Sequence, residues 1–123
     1  MKILIIDDQR VHTTFIKLML REVKEAEVFS SDNVFDGYAI LKAMGDIDLL
    51  LLDNNMPFVK GMDFYHFLRN QSNFKELPII FSSADDIDVT GMSNVKLVQK
   101  PFTKDSLLAA IDFDSSSKSF YNL

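Results

Sequence analysis

The chain has 123 residues, of which 47 % are apolar, a formal net charge of −5 and no cysteine. That length and apolar share fit one folded domain and exclude a disordered chain, and the missing thiols exclude disulfides and thiolate metal sites. The acidic balance argues against direct nucleic-acid binding, which leans on clustered Lys and Arg, and no apolar run approaches the roughly 20 residues that insert across a membrane.

Lys2 to Ile6 is a short, continuous apolar run, as a strand buried on both faces requires. It runs straight into Asp7 and Asp8 with no apolar leader and no small-residue cleavage site, so a cytoplasmic protein is expected. Val11, Phe15 and Leu18 then follow helical spacing, with a second short strand at Ala26 to Phe29. Ser31 or Asp32 is suited to cap a helix carrying Phe35, Ala39 and Ile40. Asp48 to Asp53 is leucine-rich and ambiguous by propensity. Its shortness and flanking acids favour a buried central strand.

Pro57 and Gly61 break the chain before a helix over about Met62 to Arg69. Pro78 to Phe81 is the fourth strand, with Pro at its first position, where a missing N–H is tolerated. Asp85 to Met92 offers about two helical turns before Gly91 weakens the pattern. Val95 to Val98 is the fifth strand. Thr103 is placed to cap a closing helix over Lys104 to Phe113, with Leu107, Leu108 and Ile111 inward. The run Ser115-Ser116-Ser117-Lys118-Ser119 is too polar to pack, so residues 1–114 read as the domain and 115–123 as a polar tail or linker stub. Phe120 and Tyr121 lie beyond that run, either docked back on the domain or disordered.

Strands alternating with helices imply right-handed crossovers and a parallel sheet covered on both faces, a three-layer α/β sandwich. The alternation leaves strand order open. In a parallel sheet all the C-terminal strand ends share one edge, where open α/β folds bind their ligands. Asp7 and Asp8 follow strand one, Asp53 ends strand three, Ser82 and Ser83 follow strand four, and Lys100 follows strand five.

Three carboxylates in one crevice repel one another, and a hard divalent ion such as Mg2+ compensates them through oxygen ligands. The backbone carbonyl of Asn55 is well placed to complete that site. Asp53 beside the ion could then attack a phosphoryl group, with Lys100 binding another phosphoryl oxygen as a point charge and Ser83 binding a third. Ser82 competes for the hydroxyl role, and the following Ala84 favours Ser83.

The pieces Ile5-Ile6-Asp7-Asp8, Leu52-Asp53-Asn54-Asn55-Met56-Pro57, Gly61, Ser83-Ala84 and Lys100-Pro101-Phe102 closely resemble the receiver domain of two-component response regulators. The resemblance covers about Lys2 to Phe113. It implies a flavodoxin-like (βα)5 sandwich with strand order 2-1-3-4-5 and a cis bond before Pro101. It also implies that Asp53 is the phosphoacceptor, that Asp8, Asp53 and the Asn55 carbonyl ligate Mg2+ (or Mn2+) directly, and that Asp7 acts through a bound water. The implied donor is a phosphohistidine on a sensor histidine kinase or phosphotransfer protein, and the output is an unknown protein or downstream domain. Such a domain is no turnover enzyme: it catalyses only its own phosphorylation and dephosphorylation. Asn55 and Asp85, two positions after Asp53 and Ser83, fall where the family tunes the lifetime of the acyl phosphate.

Two features depart from the family pattern. Receivers usually carry an aromatic residue two or three positions before the Lys, to switch together with the Ser or Thr; here Leu97 stands in that place. The stretch between strands four and five is also short for the helix that normally forms part of the partner surface, so an altered or relocated output surface is expected. The alternative reading is a phosphorylation-independent pseudo-receiver acting as a protein-interaction module. A phosphohydrolase is disfavoured, because the two acids after strand one are adjacent and no cap insertion fits. His12 and His66 have no second His at ligand spacing and read as surface residues. Phe15, Phe29, Phe35, Phe64, Phe67 and Phe81 read as core packing, whereas Phe58 and Val59 fall in a loop near the site, either packed or open to the donor.

Overall fold

The computed structural model describes residues 1–112, and its elements follow the alternation in the sequence. They are β1 (Lys2–Ile6), α1 (Arg10–Met19), β2 (Glu27–Ser31), α2 (Val34–Met44), β3 (Leu49–Asp53), α3 (Gly61–Arg69), β4 (Ile79–Ser83), β5 (Val95–Gln99) and α4 (Lys104–Ile111). The expected domain end at residue 114, the polar tail, Phe113, Phe120 and Tyr121 lie outside the described residues. No helix among the described residues is long and apolar enough to cross a membrane.

All strand pairs are parallel, in the order β2-β1-β3-β4-β5. This is the flavodoxin-like arrangement the resemblance implies. Successive side chains on a strand face opposite sides, and both sides are apolar here, so two cores form. Leu4, Ile6, Leu50, Leu52, Ile79 and Phe81 pack under α2 and α3. Ile3, Ile5, Leu49, Leu51, Ile80 and Val98 pack under α1 and α4. Burial on both faces is what makes the leucine run of β3 a strand: all five of its residues are buried.

One element of the expected (βα)5 pattern is replaced. The stretch from Ala84 to Asn94 contains no helix, so five strands alternate with four helices. Asp88 Oδ1 accepts the Thr90 amide at 2.9 Å, and Gly91 and Asn94 hold positive φ. Such local side-chain-to-backbone bonds and left-handed residues compete with helix formation. The loop is nonetheless pinned. Ile87, Val89 and Met92 pack on the core beneath α3. From the end of α3, Arg69 donates to the Ser93 carbonyl at 2.8 Å and to the Phe74 carbonyl at 2.8 Å, with its guanidinium 4.9 Å from the Tyr65 ring centroid.

Several local expectations are corrected. The cap of α2 is Asn33, whose Oδ1 accepts the Asp36 amide at 2.8 Å, not Ser31 or Asp32. Ser31 still belongs to β2, because its ladder with Ile6 carries the strand past its apolar part. Pro78 lies just before β4, where its carbonyl accepts the Leu50 amide. Phe15, Phe35 and Phe67 are not core residues: they are 56 %, 67 % and 44 % exposed. A helix lying on a sheet buries one stripe, and Ile16, Val34 with Leu41, and Phe64 with Leu68 take those places. Thr103 caps α4 as expected, in a reciprocal capping box with Ser106.

Candidate functional site

The ladder register levels the strand ends. Asp53 pairs with Ser82, Ser83 with Gln99, and Ile6 with both Leu52 and Ser31, so the residues that follow share one edge. There the structure brings Asp7, Asp8 and Asp53 together, with one carboxylate oxygen of each within 4.8 Å of the others. Lys100 reaches in from β5. Its Nζ lies 3.3 Å from Asp7 Oδ2 and 3.5 Å from Asp53 Oδ1. The peptide bond between Lys100 and Pro101 is cis.

The loops that carry these groups are tightly held. Asp7 Oδ1 accepts the Gln9 amide at 2.8 Å, fixing the turn into α1. Asp53 Oδ1 accepts the Asn55 amide at 3.1 Å. Asn54 Oδ1 accepts the Met62 amide, and the Gly61 amide donates to the Asn54 carbonyl. The start of α3 is thus docked directly on the end of β3. Only glycine permits that approach: a Cβ on Gly61 would stand 2.5 Å from the Asp53 carbonyl oxygen and 2.9 Å from Asn54 Cα.

The electrostatics of the cluster are those of a cation site. Burial pushes the Asp53 carboxyl above its ordinary value; the Asn55 amide opposes this, the Asp7 charge adds to it, Lys100 opposes it and Asp8 adds to it. Asp8 Oδ1 is buried with no hydrogen-bond partner. An orphaned carboxylate oxygen beside two further carboxylates is a poor arrangement for protein alone and a good one for a hard divalent cation, whose ligands are oxygens. The residues fit such an ion.

The other expected residues fall around this cluster. Ser83 is fully buried, and its Oγ accepts the Asp85 amide at 3.0 Å. Ser82 is equally buried, with its Oγ unpartnered. Asn55 Nδ2 donates to Asp85 Oδ2 at 3.3 Å, so the two residues bridge the β3–α3 and β4–β5 loops. Leu97 stands apart on β5, half-buried against the core beneath α2 and α3. Phe58, at the tip of the β3–α3 loop, is 97 % exposed with a φ of 71°, while Val59 packs inward.

One residue read as a surface histidine belongs here instead. His12 Nδ1 is 2.9 Å from Lys100 Nζ and 3.4 Å from Asp7 Oδ2. No sequence motif signals it: His12 lies on α1, and the fold alone brings it to Asp7 and Lys100. His66 is exposed on α3 as expected, edge-on to the Tyr65 ring.

The response regulator receiver domain family matches residues 3–112. Chemotaxis protein CheY1 of Helicobacter pylori is 30 % identical over 108 residues, covering 84 % of this chain and 87 % of that protein. Chemotaxis protein CheY of Pseudomonas aeruginosa is 32 % identical over 117 residues, covering 91 % and 94 %. A crystal structure of a response regulator receiver domain protein from Clostridium thermocellum matches with a TM-score of 0.79 and 25 % identity over 98 % of each chain.

Proposed function

This chain belongs to the response regulator receiver domains of two-component signalling, and from that premise we propose that Asp53 is its phosphoacceptor. The donor is a phosphohistidine on a sensor histidine kinase or phosphotransfer protein in the cytoplasm. An Asp53 carboxylate oxygen attacks phosphorus, the phosphorus–nitrogen bond breaks, and the electron pair stays on the imidazole nitrogen, which takes up a proton. The observation that carries this reading is Lys100, whose amine spans Asp7 and Asp53 at 3.3 and 3.5 Å and so joins three strand ends in one crevice.

Asp8, Asp53 and the Asn55 carbonyl would hold Mg2+ (or Mn2+), with Asp7 acting through a bound water. When bound, the ion neutralises phosphoryl oxygens beside the attacking carboxylate. Lys100 binds another phosphoryl oxygen as a point charge. Ser83 binds a third: its Oγ already accepts the Asp85 amide, so the hydroxyl proton is the part of the group left to donate. Asn55 and Asp85, joined by a hydrogen bond, are the two positions that would tune how long the acyl phosphate lasts. The domain acts on itself and turns over no substrate pool. Asp53 gives up its own single charge for a phosphoryl group of about −1.5 to −2, and this larger, more reaching anion at the strand ends then shifts Ser83, Leu97 and the surface a partner reads.

Acetyl phosphate with Mg2+ tests the acceptor. Intact mass should rise by one phosphoryl group in the wild type and not in Asp53→Ala; an undiminished rise in the variant defeats the assignment.

A second reading, a phosphorylation-independent interaction module, draws support from Leu97 and from the loop that stands where a helix is usual. Equal partner binding by wild type and Asp53→Asn, with and without acetyl phosphate, would favour it.

A further inference from the structure

Lys100 has three acceptors around its amine, and the shortest contact is to neither carboxylate. His12 Nδ1 lies at 2.9 Å, Asp7 Oδ2 at 3.3 Å and Asp53 Oδ1 at 3.5 Å. An ammonium group can only donate. Nδ1 also stands 3.4 Å from Asp7 Oδ2, but the shorter 2.9 Å contact assigns its lone pair to Lys100 and the ring proton to Nε2. A proton on Nδ1 would point at the ammonium instead. The His12 ring is 42 % exposed at the rim of the crevice, whereas Lys100 is 15 % exposed.

Behind the lysine stem the surroundings are apolar. A cavity of about 350 Å³ opens between α1 and the β5–α4 turn, walled by Phe15, Met19, Ala84, Pro101 and Phe102, with His12 and Lys100 on its lining. These side chains offer the amine no acceptor. Its position thus depends on two carboxylates and one imidazole. The carboxylates belong to the cluster suited to a divalent ion. A bound cation repels the ammonium and competes for the same negative charge. The imidazole lone pair is outside that competition.

We propose that His12 is a positioning residue, whose Nδ1 holds the Lys100 amine at the mouth of the crevice while a divalent ion occupies the carboxylates. The amine is then already aimed when a phosphoryl group arrives. This rests on the receiver reading for what Lys100 meets, but the His12–Lys100 pairing is observable without any phosphoryl transfer.

Two substitutions separate the hydrogen bond from the bulk of the ring. His12→Asn keeps an acceptor near the position of Nδ1, and His12→Leu fills space without one. The readout is the Lys100 ammonium resonance of the 15N-labelled chain, assigned by its loss in Lys100→Arg and followed through a Mg2+ titration. In the wild type and His12→Asn it should remain visible at saturating Mg2+; in His12→Leu it should broaden away as Mg2+ is added. Beryllofluoride, a phosphoryl mimic, should bind His12→Leu about five-fold more weakly and His12→Asn within about two-fold of wild type, the scale of one hydrogen bond.

The proposal is overturned if His12→Leu keeps the resonance through the titration, or if His12→Asn loses it as fully as His12→Leu. Should His12→Leu fail to fold, His12→Asn decides alone, and loss of its resonance overturns the proposal. Absence of beryllofluoride binding in every form, wild type included, counts against Asp53 as acceptor, and the resonance then still decides for or against His12.

Discussion

The carboxylate edge and the β4–β5 connection border one another at Ser83 and are built on opposite principles. At the edge, each carboxylate hangs from the end of a buried strand or from a turn fixed by backbone bonds, as with the Gln9 amide on Asp7 and the Asn55 amide on Asp53. In the connection no regular element exists, and scattered side-chain bonds tie it down: Arg69 of α3 donates to the Ser93 carbonyl and Asn94 to the Glu76 carbonyl. The contrast teaches that receiving a phosphoryl group and relaying its arrival place different demands on a fold. The first needs charges held in place against their repulsion; the second needs a segment with more than one affordable arrangement.

Gly61→Ala should produce the largest effect on this contrast. Its added Cβ must push backbone, not a flexible side chain, and the cost is about 1–3 kcal/mol. Because the displaced backbone is that of Asp53 and Asn54, phosphoryl uptake from acetyl phosphate should fall together with the urea midpoint. A variant that lost stability yet kept full uptake would show that the edge tolerates more slack than its hydrogen bonds imply.

Arg69→Met comes next. It removes two short hydrogen bonds and the stacking on Tyr65 but keeps an apolar stem, so a loss of about 1–2 kcal/mol is expected. Amide exchange should accelerate from Ala84 to Asn94 while uptake on Asp53 holds. Equal loss of uptake would mean that the two regions are one mechanical unit.

The smallest effect concerns the metal-free crevice. The folded-state pKa of Asp53 lies above its ordinary 3.8, so the native state holds that proton longer than the unfolded chain does. The contribution of Asp53 to stability therefore falls as pH rises from about 3.8 through the raised value, and stays lower above it. Asp53→Asn escapes this loss. Its urea midpoint should match the wild type below that window and exceed it at neutral pH, and added Mg2+ should narrow the gap. A gap independent of pH would mean that the charge of Asp53 is not what strains the site.

The sequence announced the edge more clearly than the connection, for a physical reason. Strands buried on both faces leave continuous apolar runs, and Asp7, Asp8, Asp53 and Lys100 stand out where those runs stop. Helix orientation is less legible. Val11, Phe15 and Leu18 form a regular stripe on α1, yet Ile16 faces the sheet, because periodicity marks a stripe without saying which side meets a core. The connection reads in the sequence as short and as about two helical turns weakened by Gly91, and no helix forms there. That Asp88 and Gly91 would disperse its helical pattern depends on local bonds weaker than a strand's burial. His12 was missed because it was weighed as a metal ligand in need of a second histidine, when its partner was a lysine at the far end of the chain.

The parallel order of the sheet also has a consequence in time. Lys100 and Asp7 are separated by 93 positions, and no hairpin can bring them together. Their meeting waits until β5 has docked on β4, by way of β3. The three carboxylates come together when β1 pairs with β3, whereas the Lys100 charge that offsets them is added only when β5 pairs with β4. Relief of that repulsion should accordingly slow unfolding more than it speeds folding, making the crevice a brake on the chain's escape and not on its assembly.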